Sequence, residues 1–355
     1  MDILVLPGDG IGPEITQAAL DVLRVAARRF ALGLNFEQRE IGFAALAKSG
    51  TTLPDEVLKR ARGADGILLG PISHLDYPPR DQGGVNVSAA FRVKLDLFAN
   101  IRPARTWRGV PHRGTDMDLV IVRECTEGFY SDRNMFAGSG EFMPTEDVAL
   151  SVRKITAPAC RRIAEVAFAI AARRRRKVAA VHKANNFLLT DGLFLRMVQE
   201  VAGAFADVEL EEVIVDAMAA LLVRDAARFD VIVSTNFYCD ILSDLASELS
   251  GSLGLAGSIN AGERLVAAQA QHGSAPDIAG QDKANPTSLV LSAAMMLDWL
   301  GEKRGIESAR EAARAIEHAV ERVLSDQTCR TADLGGPLGT RAFAAELCRT
   351  LDQSP

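Results

Sequence analysis

The sequence predicts an α/β fold in roughly two domains. Two observations carry this: short apolar runs rich in β-branched residues alternate with helical patterns along the chain, and 355 residues exceed what one core usually organises. In order, "DILVLP" (residues 2–7) reads as a strand and the stretch from about Pro13 to Phe30 as a helix. "LNFEQREI" is a second strand, and "GILLG" a third after a short helix. Further on, "DLVIVREC", "KVAAVHKA", "VELEEVIVDA" and "FDVIVST" each read as a strand followed by a helix or loop. The alternation favours parallel strands packed under helices. Tyr130 to Thr156 differs, because Gly138, Gly140 and Pro144 interrupt short apolar patches without helical period, which suits a protruding hairpin arm. Near Gly251 the glycine-rich "SGSLGLAGS" suits a crossing back between domains.

Composition excludes several classes. The 48% hydrophobic and 24% charged residues are those of an ordinary globular protein, and a net charge of −6 provides no field for nucleic acid. The basic run Arg173 to Lys177 ends an alanine-rich helical stretch, where it complements a helix C-terminus and faces water. No apolar stretch reaches the ~20 residues of a membrane span, and "MDILVLPGDG" lacks a signal-peptide pattern. The expected location is the cytoplasm, with no membrane or nucleic-acid partner. Five widely spaced cysteines without a C-x-x-C pair are expected to be free thiols.

Several stretches could carry chemistry. "GDGIGPEI" (8–15) places glycines between a strand and a helix, but G-x-G-x-x-G is absent; approach to a phosphate and a mere tight turn remain open. Arg92, Arg102 and Arg123 each sit where a helix or strand meets a loop; converging, they would grip a carboxylate, and apart they are surface arginines. In "NFYCDILSDLASEL", Asp240 and Asp244 lie at i and i+4 of a helix whose apolar stripe is Ile241, Leu242, Leu245 and Leu249. Stacked like charges need compensation, which a hard divalent cation would supply; a solvated acidic face is the alternative. Asp216 after "VIV" is a candidate third carboxylate. Lys183 ends "KVAAVHK", where α/β folds place ligands and where burial would suit it to act as a base; otherwise it is a surface lysine. Tyr130 could donate a proton or merely pack. Asp277, in the loop "HGSAPDIAGQDKANP" (272–286), could accept from a ribose diol.

Together, "LPGDGIGPEI", "RVKLDLFANIRP", "VRECTEGFY", "HKAN", "DILSDLASELSGSLG", "HGSAPDIAGQDKANP" and "TADLGG" resemble the β-decarboxylating dehydrogenases, the isocitrate, isopropylmalate, homoisocitrate and tartrate or D-malate enzymes. The resemblance spans essentially the whole chain. It implies the isopropylmalate-dehydrogenase-like fold. A cofactor domain would hold residues 1–97 and 251–355, and residues 98–250 would form a substrate, metal and dimerisation domain with the arm at the interface of a homodimer. It also implies NAD in a loop-built site at His272, Gly273, Ser274, Ala275, Pro276, Asp277, Ile278 and Asn285. Asp277 and Ile278 match the NAD-using pattern; NADP-using isocitrate enzymes are expected to have lysine and tyrosine there.

By the same resemblance, Arg92, Arg102 and Arg123 clamp the C3 carboxylate of a 2-hydroxy acid. Asp240 and Asp244, with Asp216 from the other subunit, hold Mg²⁺ or Mn²⁺. Lys183, also from the partner, takes the hydroxyl proton, and Tyr130 protonates C3 after CO₂ leaves. Departures bear on the substrate. Ser88 and Asn186 stand where isopropylmalate enzymes have apolar residues, and leaving both unpaired against an isopropyl group would cost roughly 1 to 3 kcal/mol each. Asn86 and Ser88 are the residue types that isocitrate enzymes use for the extra carboxylate. "TEG" is similar to the isocitrate, homoisocitrate and tartrate branches, Ala89 replaces the arginine typical of homoisocitrate enzymes, and Val85 replaces a glutamate near the nicotinamide ribose. The expected substrate is therefore a hydroxy di- or tricarboxylate with a polar C3 substituent. The alternatives are 3-isopropylmalate, a non-catalytic regulatory subunit and a nucleotide sensor. Retention of Tyr130, Lys183 and the three aspartates counts against the last two.

Overall fold

Asp2–Leu6 folds as strand β1, and Gly12–Arg29 as helix α1, with proline in its first turn where a missing N–H is harmless. β2 (Asn35–Gln38), α2 (Gly42–Ser49), α3 (Asp55–Arg62), β3 (Gly66–Leu69) and α4 (Val87–Lys94) follow. A computed structural model of the chain describes residues 1–130, 132 and 134–353. They form two units, one of residues 1–91, 107–111 and 251–353, the other of residues 92–106, 112–130, 132 and 134–250.

The second unit contains β4 (Ala99–Arg105), β5 (Asp118–Glu124), the exposed hairpin β6 (Glu141–Thr145) and β7 (Val148–Ser151), α5 (Ala157–Ala172) and β8 (Lys177–His182). It continues through α6 (Thr190–Ala202), β9 (Glu209–Ile214), α7 (Val215–Asp225), β10 (Val231–Ser234) and α8 (Asn236–Ser250). Its strands run in the order β4-β5-β10-β8-β9. Side chains alternate between two cores. Val120, Val122, Val178, Ala180, Val231 and Val233 face a core containing Phe168 and Phe194 of α5 and α6, while Leu119, Ile121, Ala179, Val181 and Ile232 face Met218, Leu222 and Leu242 of α7 and α8. Apolar runs without polar alternation are the signature of a sheet covered on both faces.

The first unit resumes with β11 (Ile259–Ala261), β12 (Val266–Gln269), α9 (Thr287–Arg304), α10 (Glu307–Ser325) and α11 (Thr340–Gln353). Its strands run β2-β1-β3-β12-β11, with residues 3–6 of β1 wholly buried.

Three expectations change. Most pairs are parallel, but β4 runs antiparallel to β5 and β11 to β12. Ile241 is not in the buried stripe of α8: it is 56% exposed, and the stripe runs through Cys239, Leu242, Ala246 and Leu249. The basic run does more than face water, because Arg174 pairs with Asp118 and the buried Asp230, and Arg175 donates to the carbonyl of Ala227 at 2.8 Å. All five cysteines are free thiols, and no helix among the described residues is long and apolar enough to cross a membrane.

Candidate active site

The carboxyl ends of β5, β10 and β8 lie side by side in the second unit, the edge where α/β sheets gather their ligands. Arg123 emerges from β5 and Arg102 from the neighbouring β4, and α8, starting just beyond β10, carries acidic residues toward both. Arg123 is 2% exposed. Its Nε donates to Asn236 Oδ1 at 2.8 Å, one Nη pairs with Asp240, and the other donates to the Tyr130 hydroxyl at 3.3 Å. That hydroxyl in turn donates to Asp240. Arg102 donates to Asn100 Oδ1 at 2.7 Å, to Ser243 Oγ at 2.7 Å and to Asp244 Oδ1 at 3.0 Å. Arg92, at the end of α4, adds positive charge near Asp240.

The two carboxylates differ. Burial pushes Asp240 up, but the Arg123 charge, the Tyr130 hydrogen bond, Arg102 and Arg92 outweigh it and hold the group below the usual aspartate range. Burial also pushes Asp244 up, Arg102 pulls it down, and the neighbouring Asp240 charge helps leave it above its ordinary value. The stacked charges of α8 are thus already compensated in part by two guanidinium groups. The pair still suits a hard divalent cation in ligand chemistry, since both groups are partly exposed carboxylates one helical turn apart. Two such groups fall short of six ligands. Among the described residues of one chain, no cluster of three acidic, histidine or cysteine side chains could hold a metal. Asp216, in the first turn of α7, pairs instead with Lys183, which follows β8; its side chain is 69% exposed. Asn186 is exposed in the turn after Lys183, its N–H donating to the Lys183 carbonyl at 3.0 Å.

In the first unit, the loop from His272 to Asn285 is held by the glycine turn. Gly10 adopts φ 56°, and a Cβ there would stand 2.0 Å from the Ser274 carbonyl oxygen, which accepts from the Ile11 N–H at 2.8 Å. This close backbone approach is what the glycines of "GDGIGP" provide. Asp9 adds bonds from the backbone N–H groups of Phe43 and Ser73 at 2.8 and 3.0 Å and from the Tyr77 hydroxyl, and Ser73 Oγ lies 2.7 Å from Ser274 Oγ. Burial lowers the His272 pKa, keeping the ring neutral; Nδ1 lies 3.0 Å from the Gly273 carbonyl oxygen, and the buried Nε2 has no hydrogen-bond partner among the described residues. Such an orphan fits a ligand carrying a donor. Gly273 is open to approach, Ala275 is left-handed at φ 38°, and Pro276, Asp277 and Ile278 form a 3-10 turn with Asp277 exposed. Asn285 has other duties: its Oδ1 accepts from the Thr287 N–H at 3.0 Å where α9 begins, and its amide donates to Asp333 at 3.0 Å. Asn86 likewise caps α4 through the Ala89 N–H at 3.0 Å, while Ser88 Oγ accepts from Gln269 Nε2 at 2.6 Å.

Sequence reasoning missed Asn236, although it precedes Asp240 by four residues and Asp244 by eight, so extending the acidic face one turn upstream would have found it. It also missed Glu127, 4% exposed, which accepts from the Thr156 N–H at 2.7 Å and hydroxyl at 3.0 Å, and whose backbone carbonyl accepts from Asn236. Burial, helped by the charge of Glu124 and opposed by the Thr156 bonds, pushes Glu127 up to about 7. The folded chain therefore holds this proton over a range in which the unfolded chain has released it, so stability falls as pH rises from about 4.5 to about 7. Replacing Glu127 by glutamine is expected to flatten the fall by about 1 to 2 kcal/mol, measured by urea unfolding from about pH 5 to about pH 8. An unchanged pH slope would refute it.

A family model described as isocitrate/isopropylmalate dehydrogenase matches residues 2–348. An isocitrate/homoisocitrate dehydrogenase of Thermus thermophilus is 43% identical over 351 residues, covering 98% of both chains. A 3-isopropylmalate dehydrogenase of Methanothermobacter thermautotrophicus is 40% identical over 353 residues, covering 99% of both. The crystal structure of isocitrate dehydrogenase from Methylococcus capsulatus superposes with a TM-score of 0.88 at 38% identity, covering 99% of each chain.

Proposed function

Since the chain belongs to the isocitrate/isopropylmalate dehydrogenase family, β-decarboxylating oxidoreductases that use NAD(P) and a divalent metal on small hydroxy acids, we propose that it oxidatively decarboxylates a malate bearing a polar C3 substituent. NAD is the proposed hydride acceptor and Mg²⁺ or Mn²⁺ the metal. The observation that carries the reading is the convergence of Arg102, Arg123, Tyr130, Asp240 and Asp244 on one patch beside α8. Guanidinium forks on neighbouring strands suit a carboxylate of the substrate.

Asp240 and Asp244, with Asp216 of a second copy, would hold the metal, which when bound supplies Lewis-acid polarisation at the 2-hydroxyl oxygen. The proposed assembly is a homodimer with shared sites: Lys183 and Asp216 stand together and apart from the α8 carboxylates, and Phe142, Met143, Leu188 and Leu189 are exposed as a partner surface requires. In it Lys183 takes the hydroxyl proton. Tyr130 gives its phenolic proton to C3 once CO₂ has left, and the Arg123 guanidinium beside the phenolic oxygen stabilises the phenolate left behind. Asp277, exposed on its turn, would accept from a ribose diol, which favours NAD over NADP.

Ser88 bears on the substituent. It is the acceptor of the Gln269 bond, so its own hydroxyl proton is left to donate to a substrate oxygen. The test is NADH formation with Mn²⁺ across isocitrate, tartrate, D-malate, homoisocitrate and 3-isopropylmalate. Preference for a polar substituent is expected. Preference for 3-isopropylmalate, the substrate named for the 40% identical relative, would overturn the Ser88 argument, and turnover of none would overturn the catalytic reading.

A further inference from the structure

We infer that Arg153 and Asp191 form a buried positioning pair that locks the Lys183 loop to the loop carrying Tyr130 and to the first turns of α8, which carry Asp240; this rests on Lys183 being the base. Their side chains are 5% and 0% exposed, and Arg153 Nη1 lies 2.7 Å from Asp191 Oδ1. Asp191 Oδ2 accepts the backbone N–H of Lys183 at 2.8 Å and the hydroxyl of Tyr238 at 3.0 Å. Arg153, on the chain returning from the β7 hairpin, also donates to Thr235 Oγ1 at 2.9 Å. Its guanidinium carbon stands 5.3, 5.5 and 4.9 Å from the ring centres of Phe129, Phe187 and Tyr238.

Each of these contacts adjoins a proposed site residue. Phe129 precedes Tyr130, Phe187 follows Asn186, and Tyr238 lies two residues before Asp240. One guanidinium is thus the shared packing partner of two loops and the start of α8, and its counterion holds the main chain of the lysine. A buried ion pair contributes little net stability, because desolvation offsets most of the attraction. What this pair supplies is geometry: if it is lost, the two loops can shift against α8 by a fraction of a residue length, and misplacement by about 1 Å can cost on the order of 100-fold in rate. Neither residue is placed to touch substrate.

The test uses the full-length enzyme, with active sites counted by NAD-binding stoichiometry. Arg153→Met and Asp191→Asn are expected to lower kcat by on the order of 30- to 100-fold while KM for the hydroxy acid stays within about threefold, since the clamp arginines are untouched. Arg153→Lys, which keeps the charge, is expected to recover most of the loss. Tyr238→Phe, which removes one hydroxyl and should fold whatever the others do, is expected to show a smaller drop of the same kind. Amide exchange of the peptide containing Lys183 should quicken in those Arg153, Asp191 and Tyr238 variants that lose turnover. If Lys183→Met abolishes turnover but Arg153→Met and Tyr238→Phe keep full kcat, the positioning role is overturned alone. If Lys183→Met itself turns over normally, the catalytic reading falls and the inference with it.

Discussion

Arg123→Met is expected to lower kcat/KM by on the order of a thousandfold and stability by about 3 to 5 kcal/mol. Both effects have one origin. Arg123 is 2% exposed and joins Asn236, Asp240 and the Tyr130 hydroxyl. Its charge is the largest influence holding Asp240 below the ordinary aspartate range against burial. Removing it leaves a partly buried carboxylate without its main partner and the phenol without its cation. Arg123→Lys restores charge but not the fork, so it should recover part of the stability and little of the rate. Steady-state kinetics and urea unfolding check both halves. Wild-type turnover in the methionine variant would sink the clamp assignment, and wild-type stability would sink the account of Asp240.

The parts of this molecule that were legible in sequence are those fixed by neighbours a few residues away. Leu119 to Val122, Val178 to Val181 and Val231 to Val233 announce strands because a sheet covered on both faces demands unbroken apolar runs. Asp240 and Asp244 stand out because four residues is one helical turn. What could not be read depends on partners distant along the chain. The direction of β4 leaves no local mark, since antiparallel pairing with β5 changes its partner and not its composition. Ile241 fits a helical stripe as well as Ala246 does, and only the position of the sheet decides which is buried. The binding of the α8 carboxylates by Arg102 and Arg123 joins residues 142 and 117 positions apart. Arg153 carries no signal at all, as a single arginine between a hairpin and a helix, yet it is among the most enclosed charges in the second unit.

The paired carboxylates should separate stability from function in a way a solvated acidic face would not. Asp240→Asn is expected to weaken Mn²⁺ binding by about 100-fold or more and turnover by on the order of 10⁴. It should also destabilise the metal-free protein by about 3 kcal/mol, because Arg123 loses its counterion in a buried site. Asp244→Asn should behave differently when metal is absent. Its carboxyl is pushed upward by burial and by Asp240 against the pull of Arg102, so the folded chain holds this proton above the ordinary aspartate range, and the stability that protonation supplies is lost as pH rises through that raised titration. Near neutral pH the charge is a burden in the absence of a cation, and the asparagine variant is expected to unfold at a temperature equal to or above wild type in the presence of a chelator. A ligand that costs stability until it is occupied is the pattern of a site selected for binding. With Mn²⁺ added, wild type should gain stability by mass action and the Asp244→Asn protein should gain much less. Thermal unfolding with chelator and with Mn²⁺, on wild type and both variants, gives the comparison. Equal destabilisation of the two variants in chelator, or an undiminished Mn²⁺ gain in Asp244→Asn, would show that Asp244 is a structural partner of Arg102 rather than a metal ligand.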